Sequence, residues 1–120
     1  MISSLQLNLL VIRSAEPARL AEFYSLLGLQ FIYHQHGTKG TWHYSANVGE
    51  LVFEIYPLLA AQGQVDTSLR LGFQILNLEQ LMEELKRNNV KVVVPAKAGE
   101  WGYRAVVEDV EGRRVELVEQ

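Results

Sequence analysis

Apolar and polar positions along this chain follow two rhythms, period two and period 3.6, and they switch in the same order twice. From Leu5 to Arg13 the residues are mostly apolar, with Gln6 and Asn8 alternating early, which predicts a largely buried strand. Ser14-Ala15-Glu16-Pro17 then opens a helix, because proline's fixed φ and missing N–H suit the first helical position. Leu20, Phe23, Tyr24 and Leu27 recur at helical spacing as one apolar stripe, and Gly28 stops the helix. A strand over Leu29–Gln35, a loop marked by Gly37 and Gly40, and a hairpin of Thr41–Val48 with Leu51–Tyr56, ended by Pro57, complete the first series.

Residues 58–68 are small or polar around Gly63 and read as a linker. The order then begins again. Leu69, Leu71, Phe73 and Ile75 alternate with Arg70, Gly72 and Gln74, a period-two strand. Asn77 followed by Gln80 forms a capping box, and Leu78, Leu81, Met82 and Leu85 make the stripe of the helix it opens. Asn88-Asn89 ends that helix. Val90–Val94 is a strand stopped by Pro95, and Trp101–Glu108 pairs with Arg113–Glu119 as a hairpin. Residues echo elements: Trp42-x-Tyr44 answers Trp101-x-Tyr103, and Glu54 and Glu116 stand at nearly the separation of Leu20 and Leu81. The chain is therefore expected to hold two copies of one strand–helix–strand–strand–strand unit, an α+β arrangement. Module 1 covers about residues 5–57 and module 2 residues 69–120, within one domain of 120 residues.

Composition narrows the partners. The net charge is −3 and no basic stripe exists; Lys86-Arg87 sits at a helix end, where the dipole favours it, and Arg113-Arg114 lies near a turn. Nucleic acid is not an expected partner. No apolar run approaches the roughly 20 residues a spanning helix needs, so no membrane association is expected. With no cysteine there is neither a disulfide nor a thiolate site. The opening MISSLQLNLL has no basic segment and no small-residue cleavage site, so a cytoplasmic location is expected.

Glu22-Phe23-Tyr24 running into Leu27-Gly28-Leu29, then Leu51–Tyr56, and finally Glu108–Glu119, on the doubled pattern, make the chain resemble the vicinal-oxygen-chelate superfamily of glyoxalases, bleomycin-resistance proteins and extradiol dioxygenases. The resemblance covers essentially the whole chain. It implies two βαβββ modules whose cupped mixed sheet carries its helices outside and encloses a cavity. It also implies four metal-ligand positions, which fall on Leu9, Glu54, Arg70 and Glu116. Leucine offers no lone pair and arginine is a fixed cation, so only Glu54 and Glu116 keep the pattern. No cofactor is expected on this basis; a divalent metal, if held at all, would fall to those two glutamates.

Glu54 and Glu116 are also the candidate catalytic pair, as general bases, and Arg70 is expected to bridge one or both. Arg13, at the end of the first strand where related enzymes hold a substrate carboxylate, is a candidate ligand contact, as is Gln74 on the strand face of Arg70. His43 and the aromatics Tyr56, Trp101 and Tyr103, with Trp42 and Tyr44, are candidates to line an apolar pocket for a flat ligand, although strand aromatics at alternate positions are usually core or interface. His34 and His36 alternate near a strand end and point the same way; the expectation is an exposed pair without a third ligand nearby. Three functions stay open: a metal-independent small-molecule binder, a metal-dependent lyase or dioxygenase, and a protein acting through protein contacts. Self-association as a homodimer is expected, since single-domain relatives pair modules across a two-fold axis.

Overall fold

The computed structural model describes residues 4–120. They form two compact units whose boundary falls between Val65 and Asp66. Each unit is a four-stranded mixed sheet with one helix, the βαβββ module of the glyoxalase fold.

In module 1, β1 (Leu9–Ser14) runs parallel to β4 (Leu51–Pro57), which pairs antiparallel with β3 (His43–Val48), and β3 with β2 (Ile32–His34). The helix α1 (Pro17–Leu26) starts with Pro17, while the Ser14 hydroxyl accepts the Glu16 N–H at 2.9 Å. Its buried face is Leu20, Ala21, Phe23 and Tyr24, with Leu27 at the C-cap. Tyr24 meets Phe53 of β4 at 5.1 Å between ring centroids and Phe23 edge-on at 4.9 Å. Phe53 and Ile55 are almost wholly buried, so each alternate residue of β4 holds the helix. Truncating Phe53 to alanine would cost about 3–5 kcal/mol.

In module 2, β5 (Leu71–Ile75) runs parallel to β8 (Arg114–Glu119), then follow β7 (Gly102–Glu108) and β6 (Val92–Gly99), both antiparallel. The helix α2 (Leu78–Arg87) is capped as its sequence predicts: Asn77 Oδ1 accepts the Gln80 N–H at 3.0 Å, and Asn89 turns the chain with φ 59°. Leu78 and Leu85 are its buried positions; Leu81 and Met82 are half-buried. Ala105, Val107, Val115 and Leu117 form the fully buried layer of the sheet.

Several boundaries differ from the sequence reading, and three of the differences have a clear physical reason or extent. β1 begins at Leu9 and not Leu5, because β4 starts at Leu51 and offers no partner further back; Leu5 and Leu7 are exposed. The second strand shrinks from residues 29–35 to Ile32–His34. Pro95 does not stop a strand but lies inside β6. That strand is terminal in its sheet, and its register shifts on both sides of Val94, so a residue without an N–H is tolerated there. Among the described residues no helix is long and apolar enough to cross a membrane.

Candidate functional site

Strand alternation sorts the polar residues of each sheet onto the face away from its helix. In module 1 the register pairs Val11 with Glu54, Arg13 with Tyr56, Ser45 with Glu54 and His34 with His43. Arg13, His34, His43, Glu54 and Tyr56 therefore share that face. His43 is fully buried and Glu54 nearly so. His43 Nδ1 lies 2.8 Å from the Thr41 carbonyl oxygen and Nε2 lies 3.2 Å from Glu54 Oε2. The Tyr56 ring stacks on the His43 imidazole at 4.1 Å and 9°, and the Arg13 guanidinium sits 4.9 Å from the centroid of the Tyr56 ring. Arg13 also donates to the Pro57 carbonyl at 3.3 Å. Burial, and then the charge of Glu54, push the Tyr56 hydroxyl up in pKa, with Arg13 pulling the other way.

The histidines depart most from the sequence reading. His34 and His36 are not without a third ligand: the ring centroid of His43 is 4.5 Å from His34 and 5.0 Å from His36, and the latter two are 4.8 Å apart. One ligand atom from each of His34, His36, His43 and Glu54 falls within 4.8 Å of the others. The pairing of His34 with His43 across the β2–β3 ladder is the signal that would have found this cluster.

In module 2, Gly72, Glu116, Val106 and Val94 form one cross-strand row on the face away from α2, and Gln74, Val118, Arg104 and Lys97 the next. Glu116 accepts hydrogen bonds from Arg70, at 3.3 Å, and from Arg104. Arg70 thus pairs with Glu116 as expected, but its side chain is 57% exposed, and Arg104, which sequence reasoning missed, shares the carboxylate. Exposed Gln74 lies on this face, as expected. A half-open groove of about 230 Å³ is lined by Trp101, Val94, Val106 and Ala105, with Lys97, Glu100 and Arg104 at its polar side.

The five aromatics divide. Tyr56 lies on the face away from α1 and Trp101 in the groove of module 2. Trp42 and Tyr44 instead pack around Tyr33, and Tyr103 alternates onto the face of Ala105 and Val107.

The superfamily's four-ligand metal centre does not fit these residues. On β1 and β5 the neighbours of the two glutamates are Val11 and Gly72, and Leu9 and Arg70 stand two residues earlier. Leu9, Val11 and Gly72 carry no donor, Arg70 is a cation, and Glu116 is taken by two guanidiniums.

The chain belongs to the Glyoxalase/Bleomycin resistance protein/Dioxygenase superfamily, whose family model matches residues 6–117. No curated protein matches it by sequence. Among solved structures, a protein from Bacillus anthracis placed in the glyoxalase family is similar at 18% identity and TM-score 0.77, over 100% of this chain and 99% of that one. The antibiotic-binding protein TnmS3 from a Streptomyces species is similar at 17% identity and TM-score 0.74, over 99% and 98%. A lactoylglutathione lyase from Agrobacterium tumefaciens follows at 14% and 0.68, over 95% and 92%. At these identities the likeness establishes the fold.

Proposed function

We propose that the chain is a small-molecule binder that holds a flat, anionic aromatic ligand in the groove of module 2, against Trp101. The observation carrying this reading is that groove. Its walls are mostly apolar, the cations Lys97 and Arg104 outnumber the one acid, Glu100, in its charged fringe, and Trp101 beside it is 74% exposed. An indole so exposed contributes little to the core and is available to stack. Cavities of about 150 Å³ take up benzene, so about 230 Å³ suits a substituted ring whose remainder extends into solvent. The antibiotic-binding activity of TnmS3 supports a binding role for this fold. Anilinonaphthalene sulfonate, a flat aromatic anion, is a suitable probe. Saturable binding to the folded protein is expected to be lost in Trp101→Ala and weakened in Arg104→Gln. Undiminished binding by Trp101→Ala would remove the groove from consideration.

We propose further that the chain pairs with a second copy. The strand β1 is terminal in its sheet, and Leu7, just before it, and Leu9, at its start, are 74% and 51% exposed. An apolar terminal strand invites pairing, and two-fold pairing is the commonest closed solution. Light scattering coupled to size exclusion is expected to give a dimer mass at micromolar concentration; a monomer mass overturns this.

A further inference from the structure

We propose that His34, His36, His43 and Glu54 form a binding site for a first-row divalent transition-metal ion on the face of module 1 away from α1. The site goes beyond the proposed ligand groove, which lies in module 2, and shares only Glu54 with the ligand positions of the superfamily.

The donors converge for reasons built into the local sequence. Ladder pairing sets His34 beside His43, and the neighbouring ladder sets Ser45 beside Glu54, so His43 and Glu54 are diagonal neighbours. Beyond β2 the chain turns back on itself, braced by Gln35, whose Nε2 donates to the Gly40 carbonyl at 2.8 Å and to the Thr38 carbonyl at 3.4 Å. Gly37 takes a left-handed φ of 68°, and a Cβ on Gly40 would collide with the His36 carbonyl. This tight turn brings His36 against His43 and leaves it exposed enough to rotate.

The hydrogen bonding then lacks a positive charge. A carbonyl oxygen only accepts, so the Thr41 contact fixes the proton of His43 on Nδ1. The Nε2 lone pair faces Glu54 Oε2 at 3.2 Å, and a proton or a cation must lie between two acceptors at that distance. A proton there would satisfy His43 and Glu54 but would leave His34 Nε2, which is buried and has no hydrogen-bond partner, unsatisfied. One metal ion satisfies all of them. The Thr41 carbonyl then plays the part commonly found behind a ligating histidine, and the Tyr56 stack holds the ring plane. Ligands bound tetrahedrally at about 2.0–2.1 Å lie roughly 3.3 Å apart, so the donors, now within 4.8 Å, must draw closer around the ion, with exposed His36 the freest to move. Three imidazoles and one carboxylate suit zinc, cobalt, nickel or copper and disfavour magnesium and calcium.

The test is titration of the whole chain with Co²⁺, read by its visible d–d absorption, followed by competition with Zn²⁺. One Co²⁺ per chain, displaced by Zn²⁺, is expected. His34→Ala, His36→Ala and Glu54→Gln should each weaken binding by more than the roughly 10–100-fold that loss of a ligand's hydrogen-bond partner causes. His36 is exposed, so its variant tests the site in a protein that keeps its circular dichroism spectrum. Glu116→Gln and Trp101→Ala should leave Co²⁺ affinity unchanged, which separates this site from the superfamily position and from the groove. Wild-type affinity in both His34→Ala and His36→Ala, or loss of binding in Glu116→Gln, would overturn the proposal.

Discussion

Arg113 Nη1 lies 3.3 Å from Asp109 Oδ2 in a fully buried ion pair, and the same nitrogen donates to Glu111 Oε1 at 2.9 Å. Asp109 Oδ1 meanwhile accepts the backbone N–H groups of Glu111 and Arg113, so one carboxylate ties the β7–β8 turn to the guanidinium. Burial alone would lower the Arg113 pKa; the hydrogen bond to Glu111 and the charge of Asp109 outweigh it and hold the group above its ordinary value. Replacing Arg113 by methionine leaves two buried carboxylates without their cation, at a cost of about 3–5 kcal/mol. Arg114→Met, at the exposed neighbour, should change stability by no more than about 0.5 kcal/mol. Urea denaturation followed by circular dichroism compares the two, and equal midpoints would refute the assignment.

Arg70 is the opposite case. Its guanidinium is more than half exposed and Arg104 remains on Glu116 when it is removed. Arg70→Ala should therefore cost no more than about 1 kcal/mol, the range of exposed ion pairs. Chemical denaturation of this variant decides the point. A loss of several kcal/mol would instead make Arg70 the centre of a buried network.

Locally encoded features were the legible ones. The cap of α2 needs only Asn77 and Gln80, and the start of α1 only Pro17, so both follow from a few consecutive residues. Features set by a partner strand were not. Where β1 begins depends on where β4 begins, and Pro95 is tolerated because β6 ends its sheet, a property of topology. The site divides the same way. Glu54 and Glu116 stood out because the repeat marks them, whereas the histidine cluster depends on the β2–β3 register. Arg113 and Arg114 are adjacent and chemically identical, yet the turn before β8 buries the first against Asp109 and Glu111 while the second, opening the strand, is exposed. Asp109 and Glu111, so close in sequence to Arg113, were the available hint.

Asp66 gives a pH prediction with a definite sign. Its Oδ1 accepts from the Ser68 hydroxyl at 2.6 Å and from the Ser68 N–H at 2.9 Å. The bond from the Ser68 side chain, then that from its backbone, with help from the charge of Arg113, outweigh desolvation and hold the carboxyl below its usual range. A carboxylate depressed on folding stabilises the protein above its unfolded pKa, and that contribution is lost as pH falls through the folded value. The window is therefore acidic, below about pH 4. Carboxylate NMR titration should show the Asp66 pKa rising in Ser68→Ala. An unchanged value would mean the Ser68 bonds do not form in solution.

Gly37 and Gly40 should respond differently to the same substitution, because glycine is required at each for a different reason. At Gly37 the backbone is left-handed, with φ 68°, and an added Cβ meets nothing within 4 Å. Gly37→Ala thus adds only backbone strain, about 1–2 kcal/mol for an L-residue held there. At Gly40 no left-handed backbone is involved, but the Cβ would enter the space of the His36 carbonyl. That atom is backbone and cannot rotate aside, so the turn itself must shift and the Gln35 bond to Gly40 must lengthen or break. The damage should stay local, since β2 is a three-residue strand at the end of its sheet, whereas β4 and α1 are held by the buried Phe53, Ile55, Leu20 and Tyr24. Amide hydrogen exchange is the appropriate readout. Gly40→Ala should speed exchange across residues 34–43 and leave β4 and α1 protected, and Gly37→Ala should change that segment less. Equal effects of the two substitutions, or loss of protection in β4, would show that the turn is not the rigid brace that brings His36 to His43.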